Sequence, residues 1–283
     1  VTAIAPAAGS RDTALRAGAA ASAQRVLAVA RRHATVLFRS PHRYFDVALW
    51  PAVDTLLFGA IGAFFARNST VAGGTALRYL LIGVVLWHVV YQAQISLSTG
   101  FMEETWSRNV LSLAVTPLAP WEYVAGVLLF GLVKMVVGVG GVVVIAVTAY
   151  GLDLHTLTVG IVPVVVMLLV CGYAIAFGVI GLMLRYGSGA EAFAWGILFV
   201  VMPLSGVFYP ITALPSVIQP LSRALPTTYL FSLGRTLTET GRLPAGTLVA
   251  AAVSTVAVTA LTFAYCAWMM SLFRRRGYIT RWS

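Results

Sequence analysis

Val136-Val137-Gly138-Val139-Gly140-Gly141-Val142-Val143-Val144-Ile145 decides the fold. The stretch is apolar on every side, with no period of two that would set a polar face against an apolar one. It belongs to a longer apolar run over 121–150, long enough for a helix rising about 1.5 Å per residue to cross the hydrocarbon core. A membrane β-barrel would instead alternate over segments of ~10 residues. Working outward, the rest of the chain repeats the pattern. Hydrophobic residues make up 59% of 283 positions and charged residues 10%, against about 25% charged in a soluble domain. Too few charges remain to cover a water-facing surface. The fold class is all-α, polytopic and membrane-embedded.

Six spans are expected, at about 46–66, 78–98, 121–150, 159–184, 191–209 and 246–273. Between the last two, Pro210, Pro215, Pro220 and Pro226 break a stretch that is still apolar. Short re-entrant helices over about 210–235 fit it, since broken backbone survives in a membrane where protein or water satisfies it. At the other end, residues 1–21 are rich in Ala, Gly, Ser and Thr and read as a disordered tail. They contain no ordered sequence of charged, apolar and cleavage-site regions, so a cleaved signal peptide is not expected. Residues 22–42 place Arg25, Arg32 and Arg39 on one helical face and Leu27, Ala30, Ala34 and Leu37 on another. Such a basic amphipathic helix lies in the membrane interface. Ser40-Pro41 ends it, and the six-helix domain occupies 43–283.

The formal charge is +10, and 18 of the 19 basic residues are arginine. With the N-terminus inside, the inner segments hold 13 of them and the outer segments 5, with Lys134 inside a span. The positive-inside rule then puts both termini in the cytoplasm. The charges flank apolar spans and suit lipid headgroups rather than nucleic acid. Cys171 and Cys266 both fall in apolar runs and read as packed thiols.

No P-loop is present, because the single lysine, Lys134, is followed by Met135. Nor is there a paired nucleophile and base or a metal cluster, so the chain reads as a transport subunit rather than an enzyme. If ATP drives it, another polypeptide binds the ATP and magnesium. Asp54, His88, Lys134 and Glu191 are ionisable groups inside spans, and such groups are functional candidates because lipid makes them costly. They are candidates for the translocation path. They also define the competing reading, an ion-coupled secondary transporter, although no internal repeat of the kind such folds carry is visible.

The segment 100–109, Gly-Phe-Met-Glu-Glu-Thr-Trp-Ser-Arg-Asn, running on to Leu113 and Thr116-Pro117-Leu118, resembles the cytoplasmic loop of ABC-2 type permeases. Ser205-Gly206-Val207-Phe208-Tyr209-Pro210, with Leu214-Pro215 and Leu225-Pro226-Thr227-Thr228-Tyr229, resembles the outer end of their fifth span. The resemblance implies a coupling helix at about 100–116, with Met102, Glu103, Glu104, Trp106 and Arg108 engaging separate ABC ATPase subunits. The helix at 22–42 corresponds to the family's connecting helix. Phe208, Tyr209, Pro210, Pro215, Pro226 and Tyr229 would form an extracellular gate. A second permease copy or a sister permease is implied, as is export of a drug-like, lipid or lipid-linked glycan substrate across the cytoplasmic membrane. Spacing alone permits a Glu104–Arg108 pair at i,i+4.

Overall fold

The computed structural model describes residues 8–39, 45–68, 73–106, 116, 118–153 and 159–275, and among these every regular element is helical. Helix α1 runs Ala8–Arg39. It starts well before residue 22, where an ordered helix was expected, because the alanines that read as tail composition are also the strongest helix formers. The proposed break at Ser40-Pro41 lies outside the described residues. A π-helical turn, Phe45–Leu49, then feeds α2, Trp50–Asn68. The change of hydrogen-bond register falls beside Pro51, which has no N–H to contribute.

Helix α3 runs Gly73–Trp106 without interruption. The span and the start of the coupling segment, read as separate from sequence, are one helix, since a single glycine at 100 weakens but does not end it. Helix α4, Pro120–Tyr150, opens with proline in its first turn, where the ring is tolerated. Helix α5, Ile161–Tyr186, passes through a 3₁₀ turn at Gly187–Ala190 into α6, Glu191–Leu204. A second 3₁₀ turn at Ile211–Ala213 and short α7, Gln219–Ala224, lead to α8, Pro226–Thr240, and then α9, Ala245–Arg275.

Among the described residues, five helices are long and apolar enough to cross a membrane: Val47–Asn68, Thr75–Glu104, Trp121–Tyr150, Ile161–Tyr186 and Ala245–Phe273. The chain is a multi-pass helical membrane protein. The fifth expected span, 191–209, differs, because its apolar helix covers only Ala192–Leu204. Pro203 ends the regular helix there and Gly206 turns with φ 66°.

Helix α3 is the axis of the bundle. Its whole apolar window is buried, whereas α2, α4 and α9 turn most of theirs outward. Helices α2, α4, α5, α6 and α8 all pack on it. At the α5 crossing, a Cβ on Gly172 would lie 2.6 Å from the Ala93 Cβ and 2.7 Å from the Val90 carbonyl oxygen, so only glycine lets these helices meet. The glycines of the opening stretch divide. Gly138 faces Gln92 and serves close packing, while Gly140 and Gly141 face open space. The outward faces, including Val133, Val136, Val137, Val253 and Val256, remain apolar, as lipid contact requires.

Candidate functional site

Two acids mark the segment expected to couple, Glu104 within it near the end of α3 and Glu122 just beyond it in the first turn of α4. Both are buried, and each is gripped by an arginine of α1. Arg32 donates through Nη1 to Glu104 Oε1 at 2.8 Å and through Nη2 to Oε2 at 3.0 Å. Arg25 donates through Nε to Glu122 Oε2 at 2.8 Å and through Nη2 to Oε1 at 2.7 Å. Ser22 Oγ adds a 2.6 Å bond to Glu122 Oε1, and the Ala119 backbone N–H donates to Oε2 at 3.0 Å. A guanidinium fork on a carboxylate is the strongest side-chain pairing available, and it fixes orientation as well as distance. The hydrogen bond to Glu122 pushes the Arg25 guanidinium above its ordinary value.

The seven-residue spacing of Arg25 and Arg32 lays α1 across both ends of the coupling segment. These arginines pair with protein acids 97 and 72 residues away, a separation that no local pattern reveals. Glu122 is a structural anchor. His33 completes the contact. Its Nδ1 lies 3.0 Å from the Val29 carbonyl oxygen and its Nε2 3.9 Å from Glu104 Oε1, with Tyr123 and Phe130 around the ring.

Of the expected coupling residues, Met102 is buried and Glu103 half-buried. Glu104 is held by Arg32. Trp106 is the last residue of α3, and Arg108 lies outside the described residues.

The in-span groups are not gathered in one place. Asp54 Oδ2 lies 3.6 Å from His88 Nε2, and His88 is fully buried on α3. Lys134 is buried on α4 and has an interaction of its own. Glu191 is the first residue of α6. Buried glutamines, which the sequence reading passed over, also line α3. Gln94 Nε2 donates to the Ala194 carbonyl at 3.0 Å and to Ser98 Oγ at 3.1 Å, tying α6 to the axis.

At the opposite end of α3, the expected gate residues divide between packed and exposed positions. Phe208 stacks on Phe58 of α2 with centroids 3.8 Å apart. Tyr209 Oη donates to the Pro203 carbonyl at 3.1 Å, and Tyr229 Oη to the Arg223 carbonyl at 2.8 Å. Pro210 and Pro215 are exposed, while Pro226 is buried and opens α8. Arg235, seen in the sequence only as an outer charge, is buried. It donates to the Val207 carbonyl and lies 3.7 Å from the centroid of the Tyr79 ring. Burial lowers this arginine to about 10. Arg78 donates to the Thr238 carbonyl at 2.6 Å. Gly83 permits the approach, since any Cβ there would collide with the Val207 carbonyl.

One helix thus clamps the membrane entry of α3 and α4, while the far end of α3 carries a sealed cluster of turns and short helices. Residues 24–237 match the ABC-2 type transporter family, from within α1 to within α8. The chain belongs to that family. The matched region of this ABC-2 protein is a transmembrane permease domain and not an ATPase, and such permeases normally work with an ABC ATPase partner. A search of curated proteins finds no match.

Proposed function

We propose that this ABC-2 permease is the membrane subunit of an ATP-driven exporter of an amphipathic drug-like or lipid substrate, with the segment 100–116 docking on a separate ATPase. The observation that supports it is the pair of arginine forks. They tie α1 to α3 within that segment and to α4 just beyond it, so force applied by a partner there is delivered to three helices at once. A loosely held loop would absorb such a push.

Two permease copies, or this chain and a sister permease, would enclose the route, and the apolar outer faces leave room for both partner and lipid. In this reading the chain crosses the cytoplasmic membrane six times with both termini inside. Helix α6, with 14 residues, reaches about 21 Å and completes its crossing through the turns that follow. Helices α7 and α8 re-enter the outer leaflet, and Phe208, Tyr209 and Tyr229 close the route from outside. The arginine distribution supports this orientation.

The test is purification of the full chain from its host in mild detergent, with identification of co-purifying proteins. A near-stoichiometric Walker-type ATPase is expected, and Glu103→Lys combined with Trp106→Ala should release it. Recovery of the chain alone, under conditions that keep other membrane complexes together, would rule out this reading.

A further inference from the structure

The two acids wholly buried in the bundle, Glu104 and Glu122, are each neutralised by an arginine fork. Asp54 is treated differently. It lies seven residues into the span Val47–Asn68, about 10 Å deep along the helix, and among the described residues its ion-pair partner is His88 alone. At 3.6 Å that contact is longer than a hydrogen bond. His88 is itself fully buried, neither ring nitrogen has a hydrogen-bond partner among the described residues, and its ring meets Tyr91 edge-on at 5.6 Å. Of the polar groups next to this pair along their helices, Thr55 bonds back to the Pro51 carbonyl and Gln92 reaches toward the Val47 carbonyl at 3.5 Å.

The Asp54 side chain is 20% exposed. It lies at the border between the packed face of α2 and an open face of Trp50, Leu57 and Ile61. A carboxylate at this depth, reachable from an apolar surface and lacking an arginine, has an unfilled requirement for positive charge. The open face beside it supplies the apolar contact that a lipophilic cation needs.

We infer that Asp54 is a binding subsite for the positively charged group of an amphipathic organic cation. This rests on the transport reading above and narrows its substrate class. Trp50, exposed one helical turn before Asp54, suits an onium group, which gains from both a negative charge and a ring face. His88 backs the carboxylate from α3 at 3.6 Å without a hydrogen bond to it.

The test uses the full chain in lipid nanodiscs, with any co-purifying subunit retained. Binding of tetraphenylphosphonium and of tetraphenylborate, equal in shape and opposite in charge, is measured against empty nanodiscs. Asp54→Asn is expected to weaken phosphonium binding about tenfold, as loss of a charge-assisted contact should, while Asp54→Glu retains it and borate binding does not weaken. His88→Ala should weaken phosphonium binding less than Asp54→Asn does. Should Asp54→Asn fail to fold, the wild type decides by carbodiimide labelling of Asp54 read by mass spectrometry. Phosphonium is expected to slow that labelling and borate to leave it unchanged. Equal phosphonium affinity in wild type and Asp54→Asn, or labelling indifferent to both ions, overturns the inference and leaves a structural carboxylate or a proton site. Binding needs no ATPase, so absence of an ATPase with Asp54-dependent binding intact would sink the exporter reading and spare this one.

Discussion

Arg32 and Glu104 show how much a single contact carries in this molecule. Removing the arginine takes the fork off a buried carboxylate, and because Arg32 is half-exposed and screened by solvent, Arg32→Ala is expected to destabilise the protein by about 1–2 kcal/mol. The pair Arg32→Ala with Glu104→Ala should lose less than the two single losses summed, with a coupling of about 1–2 kcal/mol in a double-mutant cycle of thermal unfolding. Additive losses would show that the fork contributes nothing of its own. Gly83 offers a second residue-scale test. Gly83→Ala puts a methyl into the Val207 carbonyl and should cost about 1–3 kcal/mol, whereas Gly140→Ala and Gly141→Ala, facing open space, should stay within about 0.5 kcal/mol or gain slightly from better helix propensity. Equal losses at all three positions would contradict the described packing.

At the scale of elements, the long apolar helices were legible because twenty or more consecutive apolar residues have one reading in water and in lipid. The broken stretch after α6 was legible as broken, since its prolines prohibit regular helix. What could not be read was which way α1 faces. A basic stripe at i,i+7 looks the same whether it meets phosphates or carboxylates, and Glu104 and Glu122 are distant in sequence from it. The pairing of Asp54 with His88 was hidden for the same reason, being a contact between α2 and α3 with no local signature.

Helix α1 gives the prediction proper to this scale. Gly126 of α4 lies under it, where a Cβ would sit 2.5 Å from the Val29 Cβ. Gly126→Leu is expected to lift α1 from α4 and increase trypsin cleavage at Arg25 and Arg32, with the helical signal in circular dichroism retained. Unchanged protection would mean that α1 is not held by this contact. Crossing number is tested at the same scale. Single cysteines at Ser188 and Ser216, in a background lacking Cys171 and Cys266, should label from opposite sides of the membrane if α6 completes a crossing. Labelling from one side would reduce the count to five.

For the whole molecule, the arrangement is a lever with a fixed axis. Helix α3 is buried over its whole apolar window, and it connects the α1 clamp at one end with the Arg235–Val207 and Phe58–Phe208 contacts at the other. A rigid helix of this length carries a displacement at the coupling end to the turn cluster at the far end, which a chain of loops would not. The central claim is that ATP hydrolysis in a partner is transmitted through the α1 forks. The most direct measurement is substrate-stimulated ATPase activity of the co-purified complex in proteoliposomes, comparing wild type, Arg32→Glu, Glu104→Arg and the exchanged pair. The account predicts that either single reversal uncouples ATP hydrolysis from transport while the ATPase stays bound, and that the exchanged pair recovers a substantial part of the coupling. Full coupling in both single reversals, or transport driven by a proton gradient with no ATPase present, would contradict it.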